Sequence, residues 1–96
     1  MQPRQSIENR KPRLAKHARL RRDPLTDRPL LLYPEGVLEL EETAEAILLL
    51  CGHGMTVAEI ILQLAGQFEG SLEQITLDVW QCLNSVADRG LIIFEI

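Results

Sequence analysis

Aromatic side chains are scarce in this chain: one Trp, one Tyr and two Phe among 96 residues, although 46% of the residues are hydrophobic. The core must therefore be packed from Leu, Ile and Val. Cysteine is almost as rare. Cys51 and Cys82 stand 31 positions apart among aliphatic neighbours, which is the setting of small buried hydrophobes. "CGH" (Cys51 to His53) is the one place where Cys and His come close, and without a second ligand pair it makes no zinc site. No apolar run approaches the roughly 20 residues that span a bilayer, so no membrane association is expected. The N-terminal stretch has no apolar core of signal-peptide type, so export is not expected and with it no disulfide. His17 and His53 are the only histidines, and neither accompanies a nucleophile motif or a Gly-rich phosphate loop. Enzymatic activity and a bound cofactor are accordingly not expected.

Basic residues are missing from most of the chain. Residues 1–28 hold nine Lys/Arg against three acids, a net +6, whereas residues 29–96 hold only Arg89 against eleven acids, a net −10. A basic arm on an acidic body is either a solvated tail or a contact for something anionic. Residues 1–13 are read as a flexible arm and residues 14–96 as the domain.

Within the domain the apolar spacing shifts from period two to the helical period. "HARLRRD" (His17 to Asp23) is a weak strand, and "PLLLY" (Pro29 to Tyr33) is a compact one with Pro acceptable at its first position. Pro34-Glu35-Gly36 reverses the chain, with Gly36 expected to supply positive φ, and "VLEL" (Val37 to Leu40) follows as a third strand. Glu41, Glu42 and Glu45 suit a helix N-terminus, and that helix ends at Gly52-His53-Gly54. "TVAE" (Thr56 to Glu59) is a capping box opening a second helix. A third helix runs from Leu72 to about Arg89 and stops at Gly90, and "LIIFEI" has the composition of a terminal strand. Three short strands followed by three helices give an α+β domain of winged helix-turn-helix type, a three-stranded antiparallel meander followed by three helices.

That architecture raises the reading of a winged-helix DNA-binding regulator. The third helix, however, carries Glu73, Asp78 and Asp88, with Arg89 as its only base. Such a helix repels phosphates rather than releasing their counterions, so no nucleic-acid partner is expected. On a helical wheel Ile75, Val79, Cys82 and Val86 face the core, and Asp78, Gln81 and Ser85 form a polar edge. The opposite flank stays apolar through Leu83, Thr76, Ala87 and Trp80. Either another segment covers this flank or it walls a groove beside the strand Val37 to Leu40, whose far edge nothing in the sequence covers. An extended peptide adding to that edge gains four or five backbone hydrogen bonds at roughly 0.5–1.5 kcal/mol each. Less the cost of ordering the peptide, this suggests a micromolar complex of about −8 kcal/mol.

The run "LYPEGVLELEETAEAILLLC", then "TVAEI", then "DVWQCLNSVADRGLI" resembles the PqqD family of pyrroloquinoline quinone biosynthesis over about Leu14 to Ile93. The resemblance implies a cytoplasmic peptide chaperone that binds the precursor peptide PqqA and presents it to the radical SAM enzyme PqqE. The three-cysteine motif of a radical SAM enzyme is absent here, so redox chemistry would belong to that partner. Carried over by position, the peptide would pair with Val37, Leu38, Glu39, Leu40 and Glu41. It would pack on Thr76, Trp80, Leu83, Asn84 and Ala87 of the third helix. Glu41 stands where the family often has Asn, replacing a side-chain cap by a charge. Related domains serve other peptide-modifying pathways, so a different precursor stays open. So does the oligomeric state, monomer or strand-swapped dimer.

Overall fold

The computed structural model describes residues 9–95. Three antiparallel strands form a meander, β2 (Arg19–Arg22), β3 (Pro29–Tyr33) and β4 (Gly36–Glu39), and three helices follow: α1 (Glu42–Leu50), α2 (Val57–Ala65) and α3 (Leu72–Asp88). A separate two-stranded sheet pairs β1 (Lys11–Leu14) with β5 (Ile92–Glu95). The α+β architecture and the meander-then-helices order are those expected from the sequence.

In the meander, Leu20 stands opposite Leu31 and Leu31 opposite Leu38. Residues paired across antiparallel strands share a face, so these three leucines form one row directed at the helices. Leu31 at its centre has no exposed surface. Beneath it lie Ile47 and Leu48 of α1, Val57, Ile60 and Leu64 of α2, and Val79, Leu83 and Val86 of α3. The core is aliphatic apart from Cys51, and no polar or charged side chain is buried among the described residues. Arg22 ties the sheet to α1: its guanidinium donates to both carboxylate oxygens of Glu45, at 3.0 and 2.5 Å.

The helix boundaries follow local chemistry. Thr56 and Glu59 complete the capping box in both directions, with the Thr56 N–H donating to Glu59 Oε1 at 2.8 Å and the Glu59 N–H to Thr56 Oγ1 at 3.1 Å. The first of these bonds holds the Glu59 carboxyl below its ordinary pKa. Ser71 caps α3 by accepting from the Gln74 N–H at 3.0 Å. Glu41 precedes α1 without any side-chain cap, so its charge near the helix dipole stands in for one.

Two expectations need correction. A flexible arm ending at residue 13 does not fit the described residues, because Lys11–Arg13 belong to β1; residues 1–8 of that arm lie outside the description. Pro12 is among the most deeply buried side chains, and its carbonyl accepts from the Gly52 N–H at 2.9 Å while that of Arg10 accepts from Val57 at 3.0 Å. Residues 10–14 are thus fastened to the α1–α2 turn as well as to β5. Gly36, in turn, does not adopt positive φ. It pairs with Tyr33 as the first residue of β4, and the reversal is made by Pro34 and Glu35 alone. Gly52 and Gly54 do take positive φ, 91° and 77°, as the end of α1 requires.

Candidate functional site: the open edge of β4

The sheet order β2–β3–β4 leaves β4 paired on one side only among the described residues. Its register decides what the other side offers. The Leu40 N–H donates to the Pro29 carbonyl at 3.0 Å, so Leu40 and, by alternation, Leu38 and Gly36 turn their backbone groups toward β3. The N–H and C=O of Val37 and Glu39 therefore point outward. That is four hydrogen-bonding groups along one edge, spaced for an added strand.

A trough runs beside this edge. Leu38, Glu39, Leu40 and Glu41 form one wall, Ala44 of α1 the floor, and Cys82, Ser85 and Val86 of α3 the other wall, enclosing about 190 Å³. It continues between α1 and α3 into a hollow of about 410 Å³ that shares Glu41, Ala44 and Cys82 and adds Thr43, Ile47, Asp78 and Gln81. The space exists because Ala44, Cys82 and Ser85 are small where the two helices and the strand converge. Burial pushes the Cys82 thiol up to about 11 and the Cys51 thiol up to about 12, so both are protonated at neutral pH, Cys82 in the trough wall and Cys51 within the core. Glu39 and Glu41 are exposed along the rim, and Asp78 accepts from Gln74 Nε2 at 2.9 Å.

Val37, Leu38, Glu39, Leu40 and Glu41 are brought together along this edge. The helix residues are not. Leu83 has no exposed surface, and Thr76 lines a different hollow with Ala58, Ile61, Leu62 and Leu72 of the α2–α3 side. Trp80, Asn84 and Ala87 do not line the trough either. Trp80 and Ala87 are half-buried against the core, whereas Asn84 is exposed, so the flank that the wheel left undecided is covered only in part. The wall on the strand side is instead the edge read as merely polar, Asp78, Gln81 and Ser85, together with Cys82 and Val86. One signal was in the sequence: three small residues, Ala44, Cys82 and Ser85, at helix positions bordering an open strand.

Comparison with known proteins agrees with this architecture. Residues 30–92 match the family model described as coenzyme PQQ synthesis protein D (PqqD). The chain belongs to the PqqD family. A member named "PqqA binding protein" from Rhodopseudomonas palustris (strain ATCC BAA-98 / CGA009) is 39% identical over 85 residues, 88% of this chain and 83% of that one. Another of the same name, from Methylococcus capsulatus, is 36% identical over 74 residues, 77% of each chain. Among solved structures, the chain resembles the NMR structure of the PqqD truncation of Methylobacterium extorquens PqqCD, described as a functional and stand-alone RiPP recognition element. The TM-score is 0.73 at 29% identity, covering 85% of this chain and 87% of that one. The winged-helix outline is therefore that of a PqqD-family domain. Its α3, the helix that reads DNA in a regulator, carries carboxylates and no base before Arg89.

Proposed function

We propose that this chain is a cytoplasmic, non-catalytic peptide chaperone that binds a precursor peptide of PqqA type by strand addition to β4 and presents it to the radical SAM enzyme PqqE. The observation carrying the reading is the outward-facing backbone of Val37 and Glu39 beside a trough. A peptide strand there completes the sheet as a fourth member, with alternate side chains directed over Ala44, Cys82, Ser85 and Val86. Relatives named as PqqA binding proteins, covering most of this chain, support the choice of precursor.

Calorimetric titration of synthetic PqqA into the chain tests it. Binding is expected at about micromolar affinity, near −8 kcal/mol, with amide-shift changes at Val37, Glu39 and Cys82. Saturation of the peptide onto another surface, with those amides unmoved, removes the reading. Duplex DNA added at low salt should leave the protein's mobility unchanged.

A further inference from the structure

The apolar flank of α3 that does not reach the trough has a composition of its own. Leu62, Leu72 and Leu77 are 66%, 52% and 57% exposed, three of the seven large hydrophobic side chains on the surface of the described residues. They are not scattered. Ala58, Ile61, Leu62, Leu72 and Thr76 line one shallow hollow, and Leu72, Glu73, Thr76 and Leu77 line a second. Because Leu72 and Thr76 belong to both, the two hollows are one continuous apolar strip across α2 and α3. On α3 this strip lies on the other side of the buried stripe from Asp78, Gln81 and Ser85. It can therefore be covered while the trough is filled. Contiguous exposed apolar surface of this kind marks an interaction site more often than isolated leucines do.

Charge says what covers it. From Val57 to Asp88 the chain has five carboxylates, Glu59, Glu69, Glu73, Asp78 and Asp88, and no Lys, Arg or His. Glu73 lines the strip itself. A second copy of the chain would bring the same carboxylates to the contact, which disfavours self-association through this face. A partner with an apolar centre and a cationic rim fits instead.

We propose that the α2–α3 strip is a second docking surface, that its occupant is a folded protein with a Lys/Arg-rimmed apolar patch, and that this protein is the peptide-modifying enzyme. The identity of the occupant rests on the function proposed above. The two surfaces divide the work: the trough holds the precursor, and the strip holds the enzyme that acts on it.

The test uses the full chain, PqqE and synthetic PqqA. Leu62→Ser/Leu77→Ser alters two exposed side chains, with helical content checked by circular dichroism; Glu73→Lys alters the rim and keeps the apolar centre. We expect the double variant to lose about tenfold or more in affinity for PqqE, as removal of central apolar contacts does. Glu73→Lys should lose about threefold, more at low salt than at high. Both should bind PqqA as the wild type does. Unchanged PqqE affinity in the folded double variant overturns the docking surface. So does failure of the wild type to bind PqqE with or without peptide, or a wild-type dimer that the double variant abolishes, which would assign the strip to a second copy. Loss of PqqA binding by the wild type, with PqqE binding intact, would instead sink the trough reading and leave the strip standing.

Discussion

The meander has two outer strands, and they are built oppositely. β2 is Arg-Leu-Arg-Arg, with all three arginines exposed. β4 is Gly-Val-Leu-Glu, with Val37 and Glu39 exposed. Both edges carry unpaired backbone groups, since neither strand has a second neighbour among the described residues. Cations crowded on a short edge strand obstruct the approach of another strand. One of them, Arg22, is also occupied, held by Glu45 and by the Asp27 carbonyl at 2.7 Å. β4 has no such block, and it borders a trough, whereas β2 is pinned to α1 by the Arg22–Glu45 ion pair. One sheet therefore has a closed edge and a receptive one, and charge with local relief decides which is which.

The largest effect should come from Val37→Pro. The Val37 N–H points away from β3, so proline there removes a donor to the guest strand and leaves the β3–β4 ladder intact. Affinity for PqqA should fall at least about thirtyfold, roughly 2 kcal/mol, with the far-ultraviolet spectrum retained. Near-normal binding by the folded variant would mean that the β4 edge is no more receptive than the β2 edge.

Next in size is the relief beside the edge. Ser85→Trp places an indole in the trough from the α3 side and should cost about tenfold in peptide affinity, because the volume for alternate side chains is gone. Trp80→Ala, off the trough, should stay within about threefold of wild type. A reversed ranking would move the peptide to the other flank of α3, where sequence reasoning first put it.

That reversal shows which parts of the structure can be read without coordinates. β3 was legible as a compact apolar run opening on Pro29, and β4 because Leu38 and Leu40 obey period two on a sheet with one buried face. α2 was legible because Thr56 and Glu59 form a cap whose two hydrogen bonds are both local. β1 was not: "KPRL" has one proline and one leucine, and it is a strand only because β5, about 80 residues away, pairs with it. The α3 wall failed for a different reason. A wheel ranks residues by angle from the core, and it correctly separated Asp78, Gln81 and Ser85 from Thr76, Trp80 and Ala87. It carries no information on which side the sheet lies, since that depends on how α1 and α2 turn the chain. The strand half of the site was thus legible from local pattern, and the helix half required the tertiary arrangement.

A smaller effect tests the closed edge. In Arg19→Val/Arg21→Val, two β2 cations become β-branched residues whose backbone still pairs with β3. Apparent mass by sedimentation should then rise with concentration, at a dissociation constant of about 0.1–1 mM, near −5 kcal/mol. PqqA affinity should be unchanged, because β4 is untouched. A strictly monomeric variant would show that the arginines are not what closes this edge.

The smallest effect reports on the trough from inside. Cys82 lines both of its hollows, and its thiol, pushed up to about 11 by burial, should react slowly with a maleimide at pH 7 and faster as the pH rises, the thiolate being the nucleophile. The same burial sets the sign of the pH dependence of stability. The unfolded chain releases these protons first, near pH 9, so stability is full below that value and declines as the pH climbs toward the folded values of about 11 and 12. Labelling should therefore be read below pH 9, where the fold is intact. A peptide strand on β4 covers Cys82 and should slow its labelling by about threefold, whereas Cys51, buried against the Ile47 carbonyl, should stay unreactive throughout. Equal labelling of Cys82 with and without saturating PqqA would place the peptide elsewhere, and the two edges of the sheet would no longer differ in what they do.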